Sequence, residues 1–112
     1  MENIRLTYKG KVYQLEFTRK SVQIMESRGF VLEDLSKTPV TLYSELFRGA
    51  FIAHHKHLNS AIIDDIYEVT TSKAKLHERL LNMYTETLMS LLGDDEDGGE
   101  GENSENFTPN WE

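Results

Sequence analysis

The stretch Ile4-Arg5-Leu6-Thr7-Tyr8-Lys9-Gly10-Lys11-Val12-Tyr13-Gln14-Leu15-Glu16-Phe17 decides the fold class. Ile4, Leu6 and Tyr8 alternate with polar neighbours, and Tyr13, Leu15 and Phe17 alternate with Gln14 and Glu16. Between the two runs stands Lys9-Gly10-Lys11, whose glycine suits a backbone with positive φ. Period-two alternation around a short glycine-bearing break is the pattern of a β-hairpin. Two strands alone are marginally stable in water. The apolar face must therefore lie on the rest of this chain or on another copy, and the rest of the chain reads as helix. The fold class is α+β, mostly α: an N-terminal β-hairpin, about four helices over residues 1–92, and a disordered acidic tail over residues 93–112.

C-terminal to the hairpin, Thr18 is placed to cap a first helix, with Phe17 and Val22 at staple spacing. Val22 and Met25 mark its inner face, Ile24 flanks it, and Gly29 is placed to end it in the left-handed region. Phe30, Val31, Leu32 and Leu35 form an apolar connector expected to pack on the core. Thr38 and Pro39 read as cap and first residue of a second helix. Tyr43, Leu46, Phe47, Ala50 and Phe51 share one face of it. Gly49 interrupts that helix at a cost of roughly 1 kcal/mol against alanine, so it is either merely tolerated or admits a close neighbouring backbone.

A third helix is expected from about 59 or 60 to 68, with Ile62, Ile63, Ile66 and Tyr67 as its apolar positions. Thr70-Thr71-Ser72 breaks it, and the longest helix is expected over 73–92. Leu76, Leu80, Met83, Tyr84, Thr87 and Leu91 repeat on one face there, while Leu81, Leu88, Met89 and Leu92 widen the stripe. One buried stripe suffices for a globular helix. The surplus at Leu88, Met89 and Leu92 points either to a partner or to a helix end wrapped on two sides by its own domain.

The charge is uneven. The chain has 112 residues, 19 acids and 12 bases, for a net −7. Eight of the acids fall in residues 93–112, which hold no Lys or Arg, so residues 1–92 keep 11 acids against 12 bases. A near-neutral domain offers no basic excess for phosphate contacts, which argues against nucleic acid as a partner. With no cysteine there is no disulfide framework, thiol nucleophile or thiolate zinc site. No apolar run is long enough to span a membrane, and Met1-Glu2-Asn3 does not open a secretory signal, so a soluble intracellular protein is expected. The segment DDEDGGEGENSEN has too little apolar surface to offset its ordering entropy. Phe107, Pro109 and Trp111 follow it, and Trp111 reads either as an aromatic anchor for a partner's pocket or as an unselected terminus.

His54-His55-Lys56-His57 draws attention as a metal motif. On a helix only His54 and His57 would share a face, and two imidazoles rarely suffice without a third ligand such as Asp64, Asp65 or His77. Histidines near a helix C-terminus are also favoured by the dipole. Asp64, Asp65 and Glu68 resemble an acid/base set, but adjacent acids diverge on a helix, and acids in a first turn are favoured anyway. No serine, cysteine or lysine stands with a histidine in a recognisable nucleophile arrangement, and Lys9-Gly10-Lys11 is not a phosphate loop. The expectation is a protein that is not an enzyme, with no cofactor, metal or catalytic residue. A partner-binding surface is expected from the hairpin edge, Phe47, Phe51, Leu88, Met89, Leu92 and Trp111.

The stretches Leu46-Phe47-Arg48-Gly49-Ala50-Phe51, His54-His55 and Asp65-Ile66-Tyr67-Glu68 resemble the tail assembly chaperones of long-tailed phages of Gram-positive bacteria. The layout of strand pair, helical body and acidic Gly-rich tail ending in Asn-Trp-Glu is similar too. The resemblance implies a non-enzymatic chaperone in the host cytoplasm, absent from the mature virion. It would coat the tape-measure protein before the tail tube polymerises around it. It also implies a short form whose frameshifted longer version recruits the tail tube protein, and a tendency to homo-oligomerise. The competing reading is a structural adaptor or completion protein retained in a virion or complex. A helix-turn-helix reading fails on charge, because the third helix carries Asp64, Asp65 and Glu68 and no base.

Overall fold

The computed structural model describes residues 3–93. Strands β1 (Ile4–Tyr8) and β2 (Lys11–Leu15) pair antiparallel with Ile4 opposite Leu15 and Tyr8 opposite Lys11. Helices α1 (Arg19–Ser27), α2 (Pro39–Ala50), α3 (Ser60–Val69) and α4 (Lys73–Leu91) follow, with a 3-10 turn over Leu32–Ser36 between α1 and α2. The expected hairpin and four helices are all present. The expected tail, apart from Gly93, lies outside the described residues.

Local chemistry accounts for most element ends. Lys9 (φ 51°) and Gly10 (φ 78°) make a two-residue hairpin turn with both central residues left-handed, a geometry whose twist matches that of the strands. Thr18 and Ser21 form a reciprocal capping box: the Ser21 N–H donates to Thr18 Oγ1 at 3.2 Å and the Thr18 N–H to Ser21 Oγ at 2.8 Å. Gly29, at φ 94°, closes α1 with its N–H on the Glu26 carbonyl and the Phe30 N–H on that of Met25, a Schellman pattern. Asn59 caps α3 through the Ala61 N–H at 2.7 Å.

Thr38 departs from expectation. It occupies the capping position of α2, but its hydroxyl faces the Asp34 carbonyl at 3.5 Å and makes no capping bond. The preceding 3-10 turn dictates this, since the Thr38 N–H is already bonded to the same carbonyl at 3.0 Å. Pro39 takes the first helical position as expected.

The core lies where the hairpin, α1, α2 and α4 meet. Phe17, Leu15, Leu46, Phe47, Ala50, Phe51, Leu80, Met83 and Tyr84 are all buried within it. Tyr84 receives Phe17 and Phe30 edge-on, each with its ring centroid 5.2 Å away, so α4 joins the link between β2 and α1 to the connector after α1. Burial drives the Tyr84 hydroxyl up to about 12. Of the expected connector, Phe30 is buried and Leu32 and Leu35 pack against the core, whereas Val31 is exposed. Gly49 is in the core for a steric reason: a Cβ there would overlap the thioether of Met25. The close neighbour of Gly49 is thus a side chain of α1, not a backbone.

Candidate interaction site

Residues 51–54 are turns, so α2 stops before the histidines and the helical pairing of His54 with His57 does not arise. The two adjacent imidazoles instead hold the hairpin. His55 Nε2 accepts the Gln14 backbone N–H at 3.0 Å, and the ring packs edge-on against Tyr13 at 5.1 Å. His54 Nε2 lies 2.6 Å from Glu16 Oε1. Two residues beyond Gln14 along the same edge, the Glu16 N–H donates to the Ala50 carbonyl at 3.0 Å. The hairpin's marginal stability is thereby supplemented from within the chain. Burial, then the neighbouring His54 and Lys11, hold the His55 imidazole below the ordinary histidine range, which keeps it neutral and able to accept.

His77 has a comparable role elsewhere. Its ring stacks on Tyr43 with centroids 4.0 Å apart and planes 7° apart, and its Nε2 and the Tyr67 hydroxyl share a hydrogen bond of 2.6 Å. This joins α2, α3 and α4. Burial, then Lys73, lowers the His77 imidazole, and burial first of all raises the Tyr67 hydroxyl, both in keeping with a neutral pair. Among the described residues no group of three or more His, Asp or Glu is placed to hold a metal ion.

The acids separate likewise. Asp64 receives a two-pronged bond from Arg48, Nη2 to Oδ2 at 2.6 Å and Nε to Oδ1 at 2.9 Å, tying α3 to α2. The guanidinium lowers the Asp64 carboxyl, and the carboxylate in turn raises Arg48. Asp65 and Glu68 are exposed.

Phe47 and Phe51, expected on a partner-facing surface, are each 1 % exposed and belong to the core. They pack edge-on to each other at 5.1 Å, and Phe47 meets Tyr67 while Phe51 meets Tyr13. The correction has a physical origin: packed elements flank the C-terminal part of α2 and hide Leu46, Phe47, Ala50 and Phe51, while Tyr43 at the other end stays half-buried. Leu88 is half-buried against the core. Met89 and Leu92 are 50 % and 79 % exposed, and their spacing of three puts them on one side of the end of α4. Trp111 lies outside the described residues. No helix among the described residues is long and apolar enough to cross a membrane.

Sequence reasoning missed an open groove of about 380 Å3 where the C-terminal part of α1 faces the end of α2 and the segment leading to α3. Ile24, Ile52 and Leu58 give it apolar walls, and Arg28, Arg48 and Lys56 bring cations. These six residues come from α1 and its C-cap, the last turns of α2 and the segment before α3, and no local spacing joins the first stretch to the other two. A clue existed in the charge count, which leaves the domain slightly positive beside a strongly negative tail.

No curated protein and no solved structure matches the chain. The family profile described as Domain of unknown function (DUF5055) matches residues 1–111, and the chain belongs to that family.

Proposed function

We propose that this chain is a non-enzymatic phage tail assembly chaperone. It binds and solubilises the tape-measure protein in the host cytoplasm and helps recruit tail tube protein during tail morphogenesis. The observation that carries the reading is the exposed apolar end of α4, where Met89 and Leu92 stand clear of a core that is already complete. A tape-measure protein is long, helical and apolar along its length. Many copies each lending a small apolar patch, at about 25 cal/mol per Å2 buried, cover such a client through avidity. The resemblance in residues 46–51, 54–55 and 65–68 supports the same reading. The two adjacent histidines, an enzyme's most tempting residues here, are engaged in holding the hairpin.

Co-expression tests it. A tape-measure protein from a long-tailed phage of a Gram-positive host should move from the insoluble to the soluble fraction when this chain is produced alongside it. Mass spectrometry of finished particles should not find the chain. An unchanged insoluble fraction refutes the chaperone reading, and presence in particles at fixed stoichiometry establishes a structural adaptor instead.

A further inference from the structure

We propose that residues 105–112 of this chain, Glu-Asn-Phe-Thr-Pro-Asn-Trp-Glu, dock in cis into the groove beside α1 and the end of α2, with Trp111 against its apolar wall. The inference is independent of the chaperone reading. It rests on chemical complementarity, reach and the accounting of charges.

The groove combines apolar walls from Ile24, Ile52 and Leu58 with cations from Arg28, Arg48 and Lys56. Arg48 is committed to Asp64. Arg28 and Lys56 are exposed and make no ion pair among the described residues. An occupant suited to this lining carries aromatic groups between carboxylates. Residues 105–112 have that composition: Phe107 and Trp111 lie between Glu105 and Glu112, with six more acids in residues 94–102. The domain of residues 1–92 is nearly neutral, so a tail with eight acids is attracted to local clusters of cations outside ion pairs, and Arg28 with Lys56 is such a cluster set beside apolar walls.

Reach is sufficient. The Tyr84 ring touches Phe30, which lines a hollow sharing Arg28, Arg48 and Ile52 with the groove. From Tyr84 the helix runs on to Leu91, roughly 10 Å at 1.5 Å per residue. Residues 94–104 then extend up to roughly 36–40 Å, against a longest molecular dimension of 47 Å. A tether of that length holds its end at an effective concentration on the order of millimolar, so even weak intrinsic docking is well populated.

Trp111 is the only tryptophan in the chain, so its fluorescence reports this contact in the full protein. Docking predicts emission blue-shifted from that of the isolated peptide 105–112. Acrylamide quenching should be several-fold weaker than for the peptide, and independent of protein concentration. High salt, Arg28→Glu with Lys56→Glu, and Glu105→Gln with Glu112→Gln should each move both signals toward the free peptide. The last pair lies outside the described residues and alters none of the side chains packed in the core. Peptide-like emission in the unaltered chain overturns the proposal. So does protection that all three treatments leave intact, which places Trp111 elsewhere. Protection that rises with protein concentration together with sedimentation mass places the segment in a second copy and also overturns docking in cis.

Discussion

His55 accepts the Gln14 backbone N–H across 41 residues of chain, at 3.0 Å, and so fastens the outer edge of β2 to the turn segment that follows α2. A neutral imidazole is required, because a protonated ring has no lone pair to offer. Replacing His55 with alanine leaves a partly buried N–H without its acceptor and removes the ring from Tyr13. The expected loss is about 1–3 kcal/mol of unfolding free energy, read as a lower urea midpoint. His57→Ala, at an exposed position, should stay within about 0.5 kcal/mol of the unaltered chain.

Stability should respond to pH through His55 and His77, both held below the ordinary histidine value in the folded chain. Just below pH 6.5 the unfolded chain binds more protons than the folded one, so stability rises with pH there. It is fully present above about pH 6.5 and is lost as pH falls through the two lowered values. Thermal melts between pH 7.5 and 5 should show a falling midpoint, and His77→Gln should reduce the slope. A midpoint that climbs on acidification in this range contradicts the assignment.

Gly49 measures how far Met25 can yield. Alanine would gain roughly 1 kcal/mol of helix propensity, but its Cβ meets the Met25 thioether, the far end of a flexible side chain beside a hollow that Met25 and Gly49 both line, so the thioether must shift. Gly49→Ala is expected to gain less in the unaltered chain than in a Met25→Ala background, where the full roughly 1 kcal/mol should show in chemical denaturation. Strict additivity of the two would show that the residues do not meet.

Lys9 offers the opposite opportunity. It is a non-glycine residue at φ 51° in the hairpin turn. Lys9→Asn, which tolerates that region far better, should stabilise the chain by about 0.5–1 kcal/mol in chemical denaturation.

Much of the fold was legible because periodicity and caps are local signals. The alternation of Ile4, Leu6 and Tyr8 against Tyr13 and Leu15 fixed the hairpin, and Thr18, Gly29, Pro39 and Gly93 lay at or next to helix ends. Local signals fail where a side chain has a long-range commitment. Thr38 lost its capping role to a carbonyl already engaged by its own backbone. Phe47 and Phe51 looked the same in sequence whether they met a partner or the core, since an apolar stripe does not reveal what covers it. The histidine run drew notice only as a metal motif that lacked a third ligand, because the partners of His54 and His55, Glu16 and Gln14, are almost 40 residues or more away. Met89 and Leu92 were distinguishable only as surplus to a stripe already wide enough, and they are the part of the expected surface that remains exposed.

The central claim is that the apolar end of α4 is lent to a helical client, and equilibrium binding tests it most directly. The full chain and its Met89→Glu, Leu92→Glu variant would be titrated against a purified helical segment of a tape-measure protein. The two variants should have the same urea midpoint within about 0.5 kcal/mol, because both side chains are substantially exposed. The account predicts saturable binding by the unaltered chain and at least a tenfold loss, about 1.4 kcal/mol, in the variant. Equal affinity in both, or no binding by either, would contradict it.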